Sequence, residues 1–148
     1  MSGIYVTDTN ALISYFHDVF GVNRDLSART RRLVAEAFHA YPTDVKLSIP
    51  AVVFLEVFEK WFVSEEFAAR FHYEVFAPIH ESPNIEVKPI DQEVLENLAR
   101  IEDDLRDEDM HDKIILASAM MLNCPLITTD EVIIKYVNTN PVIPFILN

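Results

Sequence analysis

Apolar residues recur along this chain with two periods, that of β-strands and that of helices. Short apolar runs at 4–7, 45–48 and 126–129, together with the alternating segment 85–90, predict four strands. The segments between them carry apolar residues three and four positions apart, as amphipathic helices do. Strands that alternate with helices predict a central parallel sheet that helices cover on both faces.

Capping signals mark the boundaries of the predicted helices. Ser27, Ser64 and Asp91 are residue types that commonly cap a helix start, and Pro78 and Pro83 are expected to end the helix that begins after Ser64. The predicted helices cover 10–19, 27–40, 50–63, 64–76, 91–101 and 110–123, and a short amphipathic helix and a final apolar segment, 142–147, follow Asp130.

Length and composition predict one domain that spans residues 1–148. With 148 residues of which 50% are apolar, such a chain buries roughly 68 to 70% of the surface that its unfolded form exposes. No apolar stretch approaches the roughly 20 residues of a membrane span. The N-terminus lacks a basic region followed by an apolar one, which argues against a secretory signal. We therefore expect a cytoplasmic protein without a membrane segment.

The scarcity of cysteine and glycine excludes several kinds of site. Cys124 is the single cysteine, so neither an intrachain disulfide nor a multi-cysteine zinc site can form. The two glycines, Gly3 and Gly21, are too few for the glycine-rich loops that bind dinucleotides or nucleoside triphosphates.

Charge alone argues against a nucleic-acid partner. The 24 acidic and 12 basic residues give a formal net charge of −12, whereas affinity for nucleic acids comes largely from Lys and Arg on phosphates. The acidic run 102–109 is typical of a solvated helix end. The densest basic patch contains Arg29 and Arg32 on one helical face. They are candidates for a phosphate or partner contact, and an ordinary solvated helix surface is the alternative.

Two aspartates occupy equivalent positions. Asp8 and Asp130 each follow an apolar run with hydroxyl residues and open a predicted helix. Either one alone is explained as a helix N-cap. If the two strands are parallel neighbours about 5 Å apart, however, both carboxylates reach the same edge of the sheet, where ligands bind in open α/β folds.

Two further acids are candidates for the same edge. Asp112 lies at a helix start, where the helix dipole favours an anion, and capping is the alternative explanation. Glu56 lies within an apolar helical segment, where an isolated carboxylate is unfavourable. Because Lys60 follows four residues later, an ordinary exposed Glu–Lys pair is the alternative for Glu56.

Four segments together resemble a known family. They are TDTNALIS at 7–14, PAVVFLEV at 50–57, HDKIILASA at 111–119 and PLITTDE at 125–131. In these segments and their order the chain resembles PIN domains of the VapC-like toxin type over essentially its whole length. The resemblance implies an α/β/α sandwich with a central parallel sheet and a metal-dependent ribonuclease site.

The resemblance also assigns residues to that site. The implied catalytic and metal-binding residues are Asp8, Glu56, Asp112 and Asp130. Asn10 and Thr128 match polar positions that support these acids. Lys113 stands where many relatives carry Arg, at a position of possible substrate or partner contact. His111 could donate to a phosphate or to Asp112, or could be a plain surface residue.

Carboxylates of this kind suit Mg²⁺ or Mn²⁺, because hard cations prefer oxygen ligands and several acids at short range need a counter-charge. Such ions lower the pKa of a bound water and stabilise charge on a phosphate during in-line displacement. We expect Asp8 to be a central ligand, Asp112 and Asp130 to be further ligands, and Glu56 to be a ligand or a water-orienting base.

The leading hypothesis is therefore a Mg²⁺- or Mn²⁺-dependent endoribonuclease, the toxin of a toxin–antitoxin pair. The resemblance implies a homodimer that an antitoxin protein silences. The aromatic residues between 61 and 76 are expected in the core or at a dimer interface rather than in base stacking. Two alternatives stay open, namely a non-catalytic interaction protein with the same fold and a related nuclease for RNA maturation or DNA processing.

Overall fold

A computed structural model describes residues 3–101, 105 and 109–148. In chain order its elements are β1 (Gly3–Thr7), α1 (Thr9–Tyr15), α2 (His17–Phe20), α3 (Ala28–Ala37), β2 (Val45–Pro50), α4 (Ala51–Trp61), α5 (Glu65–Phe71), a π-helical segment (His72–Phe76), α6 (Ala77–Glu81), β3 (Ile85–Lys88), α7 (Gln92–Leu98), α8 (Met110–Leu122), β4 (Leu126–Ile127), α9 (Glu131–Thr139) and β5 (Ile146–Leu147).

The strands form a five-stranded sheet in the order β3-β2-β1-β4-β5, and every pairing is parallel. In β1, Tyr5 and Val6 are 2% and 0% exposed, and successive strand residues point to opposite faces. Both faces of the sheet are therefore covered, as in parallel α/β folds. The prediction of an α/β sandwich with a central parallel sheet is confirmed.

The prediction of one continuous helix over 10–19 is wrong. It is divided into α1 and α2 at Phe16, whose φ of −96° and ψ of 39° are not helical. The break lets two successive rings pack on one neighbour. Tyr15 stacks on Phe38 with centroids 5.4 Å apart, and Phe16 meets the same ring edge-on at 5.4 Å. Successive residues of a regular helix point too far apart for such a pair of contacts.

The helical region after Ser64 continues further than predicted. Ser64 caps it, but helical structure runs through the π-helical segment His72–Phe76 and α6 to Glu81. Pro78 does not end it, and lies in the first turn of α6 directly after the π-helical segment. The chain leaves the helix at Ser82, whose backbone is extended.

Two strands are shorter than the sequence predicts. The strand predicted at 85–90 ends at Lys88, before Pro89, which has no N–H for the ladder. β4 contains two residues, although the Thr128 N–H still donates to the Leu147 carbonyl at 2.9 Å. The prediction of a solvated end for 102–109 falls almost entirely outside the described residues. No helix in the described ranges is long and apolar enough to cross a membrane.

Candidate active site

Asp8 lies at the carboxyl end of the central strand β1 and is 6% exposed. Its Oδ1 accepts the Ala11 N–H at 2.7 Å and so caps α1. Its Oδ2 accepts a short hydrogen bond from the Thr128 hydroxyl. The buried carboxylate is therefore fixed by a backbone N–H and by a hydroxyl from the neighbouring strand end.

The end of β4 brings Asp130 to the same edge. Because Thr7 pairs with Ile127, Thr128 follows beside Asp8. The Thr128 oxygen also accepts the Asp130 N–H at 3.0 Å, and Asp130 Oδ1 caps α9 by accepting the Val132 N–H at 2.8 Å. Asp8 and Asp130 are therefore both helix caps and also neighbours at the same edge of the sheet.

Glu56 reaches this edge from α4, which packs against α1. Its Oε1 accepts the Thr9 hydroxyl at 2.7 Å, and its Oε2 lies 3.0 Å from Lys60 Nζ. The predicted Glu–Lys pair is present, but its exposed character is wrong for Glu56, whose side chain is 12% exposed. Burial follows from the packing of α1 over this part of α4.

Asp112 lies half-buried in the first turn of α8. It is not the N-cap, because Asp109 has that place and accepts the His111 N–H at 2.9 Å. His111 Nδ1 lies 3.1 Å from Asp109 Oδ1 in an orientation that forms no hydrogen bond. The carboxylate beside His111 is thus that of Asp109. The charges of Asp109 and Asp112 both raise the pKa of Lys60, which connects this helix to Glu56.

No positively charged group is among the main contributors to the pKa of Asp8 within the described residues. The pKa of Asp8 is raised from 3.8 to about 6, chiefly by burial and against the lowering effect of the hydrogen bonds from Thr128 and Ala11. The charges of Asp130 and Glu56 contribute to the same rise. Carboxylates from β1, β4 and α4 therefore act on one another electrostatically, and a cation between them would be stabilised.

The donor chemistry of this edge fits a hard divalent cation, because carboxylate oxygens are its preferred ligands and the Asp8 charge lacks compensation. In the side-chain conformations seen, no three His, Cys, Asp or Glu groups among residues 3–101, 105 and 109–148 are arranged to hold one ion. Asp8, Glu56 and Asp130 are the acids whose charges the structure couples, and Asp112 joins them through Lys60.

Other predicted site residues lie on α1, α3 and α8. Asn10 is exposed at the start of α1, and Lys113 is half-buried one residue after Asp112. Arg29 and Arg32 are exposed on α3 and line a surface cleft with Glu36. Their roles in substrate, partner or support contacts stay predictions.

Two residues of the edge were missed by sequence reasoning. The Thr9 hydroxyl donates to Glu56, and Asp109 caps α8. Thr9 lies between Asp8 and Asn10 in the first motif, and Asp109 directly precedes the predicted helix. Both are residue types that donate or accept hydrogen bonds at helix starts, so their positions in the sequence could have identified them.

The aromatic segment forms both core and surface. Phe71 is buried at 2% exposure and contacts the rings of Phe58, Phe62 and Phe67 with centroids 5.4 to 6.2 Å apart. Phe58 and Phe62 are 43% and 39% exposed, and Val63 is 85% exposed. The prediction that these rings serve the core is confirmed for Phe71, whereas their use in a dimer interface stays a prediction.

Solved structures share the fold. VapBC2 from Rickettsia felis, bound to a DNA fragment from its promoter, aligns with a TM-score of 0.64 at 15% identity over 99% of this chain and all of that one. VapBC-1 from nontypeable Haemophilus influenzae gives 0.63 at 16% identity over 97% and 96%. A toxin–antitoxin complex from Klebsiella pneumoniae gives 0.54 at 23% identity over 95% of each chain. At these identities the likeness concerns the fold.

Comparison with curated protein sequences gives no match. A family model for the PIN domain, in contrast, matches residues 5–138. This span begins in β1, ends in α9 and includes all four candidate acids. By this match over most of its length, the chain belongs to the PIN domain family.

Proposed function

We propose that this protein is a Mg²⁺- or Mn²⁺-dependent endoribonuclease that hydrolyses RNA phosphodiester bonds, with Asp8, Glu56, Asp112 and Asp130 as its metal-binding and catalytic residues. The observation that supports the proposal most directly is the buried Asp8 carboxylate, whose pKa of about 6 reflects burial and the nearby charges of Asp130 and Glu56. A structural role would be better served by a neutral residue at this position, since burial of a charge without a cation is unfavourable.

Each side chain has a distinct task in this proposal. When bound, the metal ion would supply an activated water and stabilise charge on the phosphate. The Thr128 hydroxyl orients Asp8 through Oδ2 and leaves its remaining lone pairs for ligation. The Thr9 hydroxyl similarly fixes Oε1 of Glu56, and Oε2 lies beside Lys60.

The net charge of −12 is compatible with an RNA substrate if the metal neutralises the acids where the phosphate approaches. The exposed guanidinium groups of Arg29 and Arg32, and Lys113 beside Asp112, are the proposed contacts for more distant phosphates or for a partner. His111, one residue before Asp112, is a further candidate for such a contact.

We also propose that the enzyme is the toxin half of a toxin–antitoxin pair. The fold of the whole chain is that of proteins solved as toxin–antitoxin complexes. The exposed apolar residues Phe58, Phe62 and Val63 supply a surface of the kind that an antitoxin or a second copy of the chain covers. A homodimer that acts on cytoplasmic RNA completes the proposal.

The test is RNA cleavage by purified protein with Mn²⁺, with Mg²⁺ and with EDTA. We expect cleavage only with metal, and Asp8→Asn should abolish it. Asp91→Asn is the matched control, because Asp91 caps α7 through the Val94 N–H at 3.0 Å and takes no part in the site. Full activity of the Asp8 variant would contradict the proposal.

Two other results would change the proposed function. An absence of both Mn²⁺ binding and cleavage would favour the non-catalytic interaction protein, while cleavage of DNA in preference to RNA would change the substrate class. Expression of the chain in growing cells tests the toxin assignment separately. Growth arrest that Asp8→Asn relieves is the expected result, and unaffected growth would leave a nuclease without toxin function.

A further inference from the structure

Lys60 places a positive charge within the candidate site. Its Nζ lies 3.0 Å from Glu56 Oε2, and its side chain is 53% exposed. The helix that carries it, α4, packs against α8, whose first turn carries Asp112. The pKa of Lys60 is raised, first by the hydrogen bond to Glu56 and also by the charges of Glu56, Asp109 and Asp112. The ammonium group thus lies in the field of three carboxylates from two helices.

Glu56 has a donor on each of its oxygens. The Thr9 hydroxyl donates to Oε1 at 2.7 Å and Lys60 donates to Oε2 at 3.0 Å. A divalent cation that approached Oε2 would meet a like charge at that oxygen. The same oxygen therefore serves either the ammonium group at its present distance or a metal ion, and the two repel each other.

We propose that Lys60 is the built-in counter-charge of the metal-free site and that a divalent ion binds Glu56 in competition with it. This inference rests on the proposed function, because it takes Glu56 to be a metal ligand. It differs from the ordinary explanation of a Glu–Lys pair on one helix, because an ordinary surface pair does not affect the binding of a metal ion.

The experiment is calorimetric titration of Mn²⁺ into the whole purified chain at low ionic strength. Lys60→Met retains most of the apolar stem and removes the charge. Its Mn²⁺ affinity should exceed that of the wild type by about threefold to tenfold, the size expected from loss of one partly solvated like charge at short range. About 0.5 M NaCl should reduce this gain, because salt screens the charge of an exposed ammonium group.

Two further variants separate the role of Lys60 from general effects. Lys60→Arg retains the positive charge and should bind Mn²⁺ as the wild type does. Arg70→Met is the matched control, because Arg70 forms an exposed pair with Glu74 four residues later and its loss changes the net charge equally. Its Mn²⁺ affinity should equal that of the wild type.

The possible results are distinguishable. Equal affinities of the wild type and Lys60→Met would overturn the role of Lys60 and leave the metal site, and with it the proposed function, intact. An equal gain in Arg70→Met would attribute the effect to net charge and would also overturn the inference. A failure of all four proteins to bind Mn²⁺ would overturn the proposed function itself.

Discussion

The two sides of the candidate site hold their acids in different ways. On one side Asp8 and Asp130 follow the strands β1 and β4 and cap the helices that come next. On the other side Glu56 and Asp112 lie on the helices α4 and α8, with Lys60 between them. The donors to Asp8 are a backbone N–H and a hydroxyl, whereas Glu56 has a hydroxyl and an ammonium group.

The two sides therefore differ in what fixes the positions of their acids and in what compensates the charge of those acids. Main-chain N–H groups and the Thr128 hydroxyl fix the acids of the strand side, and their negative charge is left for a cation to compensate. The helix side depends on longer side chains and carries part of its own compensation in Lys60. Substitutions on the strand side should therefore change stability and its pH dependence, while loss of Lys60 on the helix side should change metal affinity with little effect on stability.

Thr128→Val should have the largest effect on stability. Thr128 is fully buried, donates to Asp8 Oδ2 and accepts the Asp130 N–H, so valine leaves one oxygen of a buried carboxylate and a backbone donor without these partners. We expect the free energy of unfolding at pH 7, measured with urea in EDTA, to fall by about 2–3 kcal/mol. Thr129→Val, at the half-buried neighbour, is the control. A loss as small as that of the control would show that the strand side does not depend on this hydroxyl.

Asp8→Asn should stabilise the metal-free protein at neutral pH. The pKa of Asp8 is 3.8 unperturbed and about 6 in the fold, so ionisation opposes folding. That penalty is absent below pH 3.8, where both states are protonated, grows between pH 4 and 6, and is complete above it. A rise of this size corresponds to about 3 kcal/mol. Since asparagine makes a poorer acceptor for Thr128, the net gain should be about 1–2 kcal/mol.

Urea unfolding of the wild type and Asp8→Asn in EDTA, from pH 4 to pH 8, measures this gain. The difference between the two proteins should widen as the pH rises to 6 and then stay constant. A constant difference over the whole range would exclude Asp8 ionisation as its cause. Asp91→Asn is again the control. We expect it to destabilise the protein at neutral pH, because the hydrogen bond from Lys88 lowers the pKa of Asp91.

Thr9→Val tests the hydroxyl of the helix side. It removes a 2.7 Å hydrogen bond to the charged Glu56, but Lys60 continues to neutralise that carboxylate. The expected loss in free energy of unfolding is about 1 kcal/mol, smaller than for Thr128→Val. Thr139→Val, where an exposed hydroxyl binds the Lys135 carbonyl, should change stability by less. A loss above that of Thr128→Val would reverse the proposed difference between the sides.

The strand side was predictable from sequence because its geometry follows from local pattern. An apolar run followed by an aspartate occurs at both Asp8 and Asp130, and parallel neighbours necessarily align such ends. The sequence raised this pairing only as a condition, and it is present although β4 contains only two residues. Glu56 and Asp112 were candidates from the residue pattern, with an ordinary Glu–Lys pair and a helix cap as the respective alternatives, and the family resemblance assigned both to the site.

The helix side was less predictable because its contacts depend on how helices pack. The hydrogen bond from Thr9 to Glu56 joins residues 47 positions apart and requires α1 to lie on α4. Likewise, the charges of α8 reach Lys60 because α4 packs against α8. Hydrophobic periodicity shows which face of a helix is buried but not which neighbour covers it. The division of α1 from α2 at Phe16 has the same origin, in ring contacts with α3 and its end.

Lys60→Met should have the smallest effect on stability, although it is the variant expected to change metal binding. The Lys60 side chain is 53% exposed, and solvent-exposed pairs of this spacing contribute less than about 0.5 kcal/mol. Urea unfolding in EDTA should therefore hardly distinguish it from Arg70→Met, which breaks the other exposed pair of the same spacing. If Lys60→Met instead lost more stability than Thr9→Val, the ammonium group would be a structural support of Glu56, and the helix side would depend on charge as the strand side depends on its N–H and hydroxyl donors.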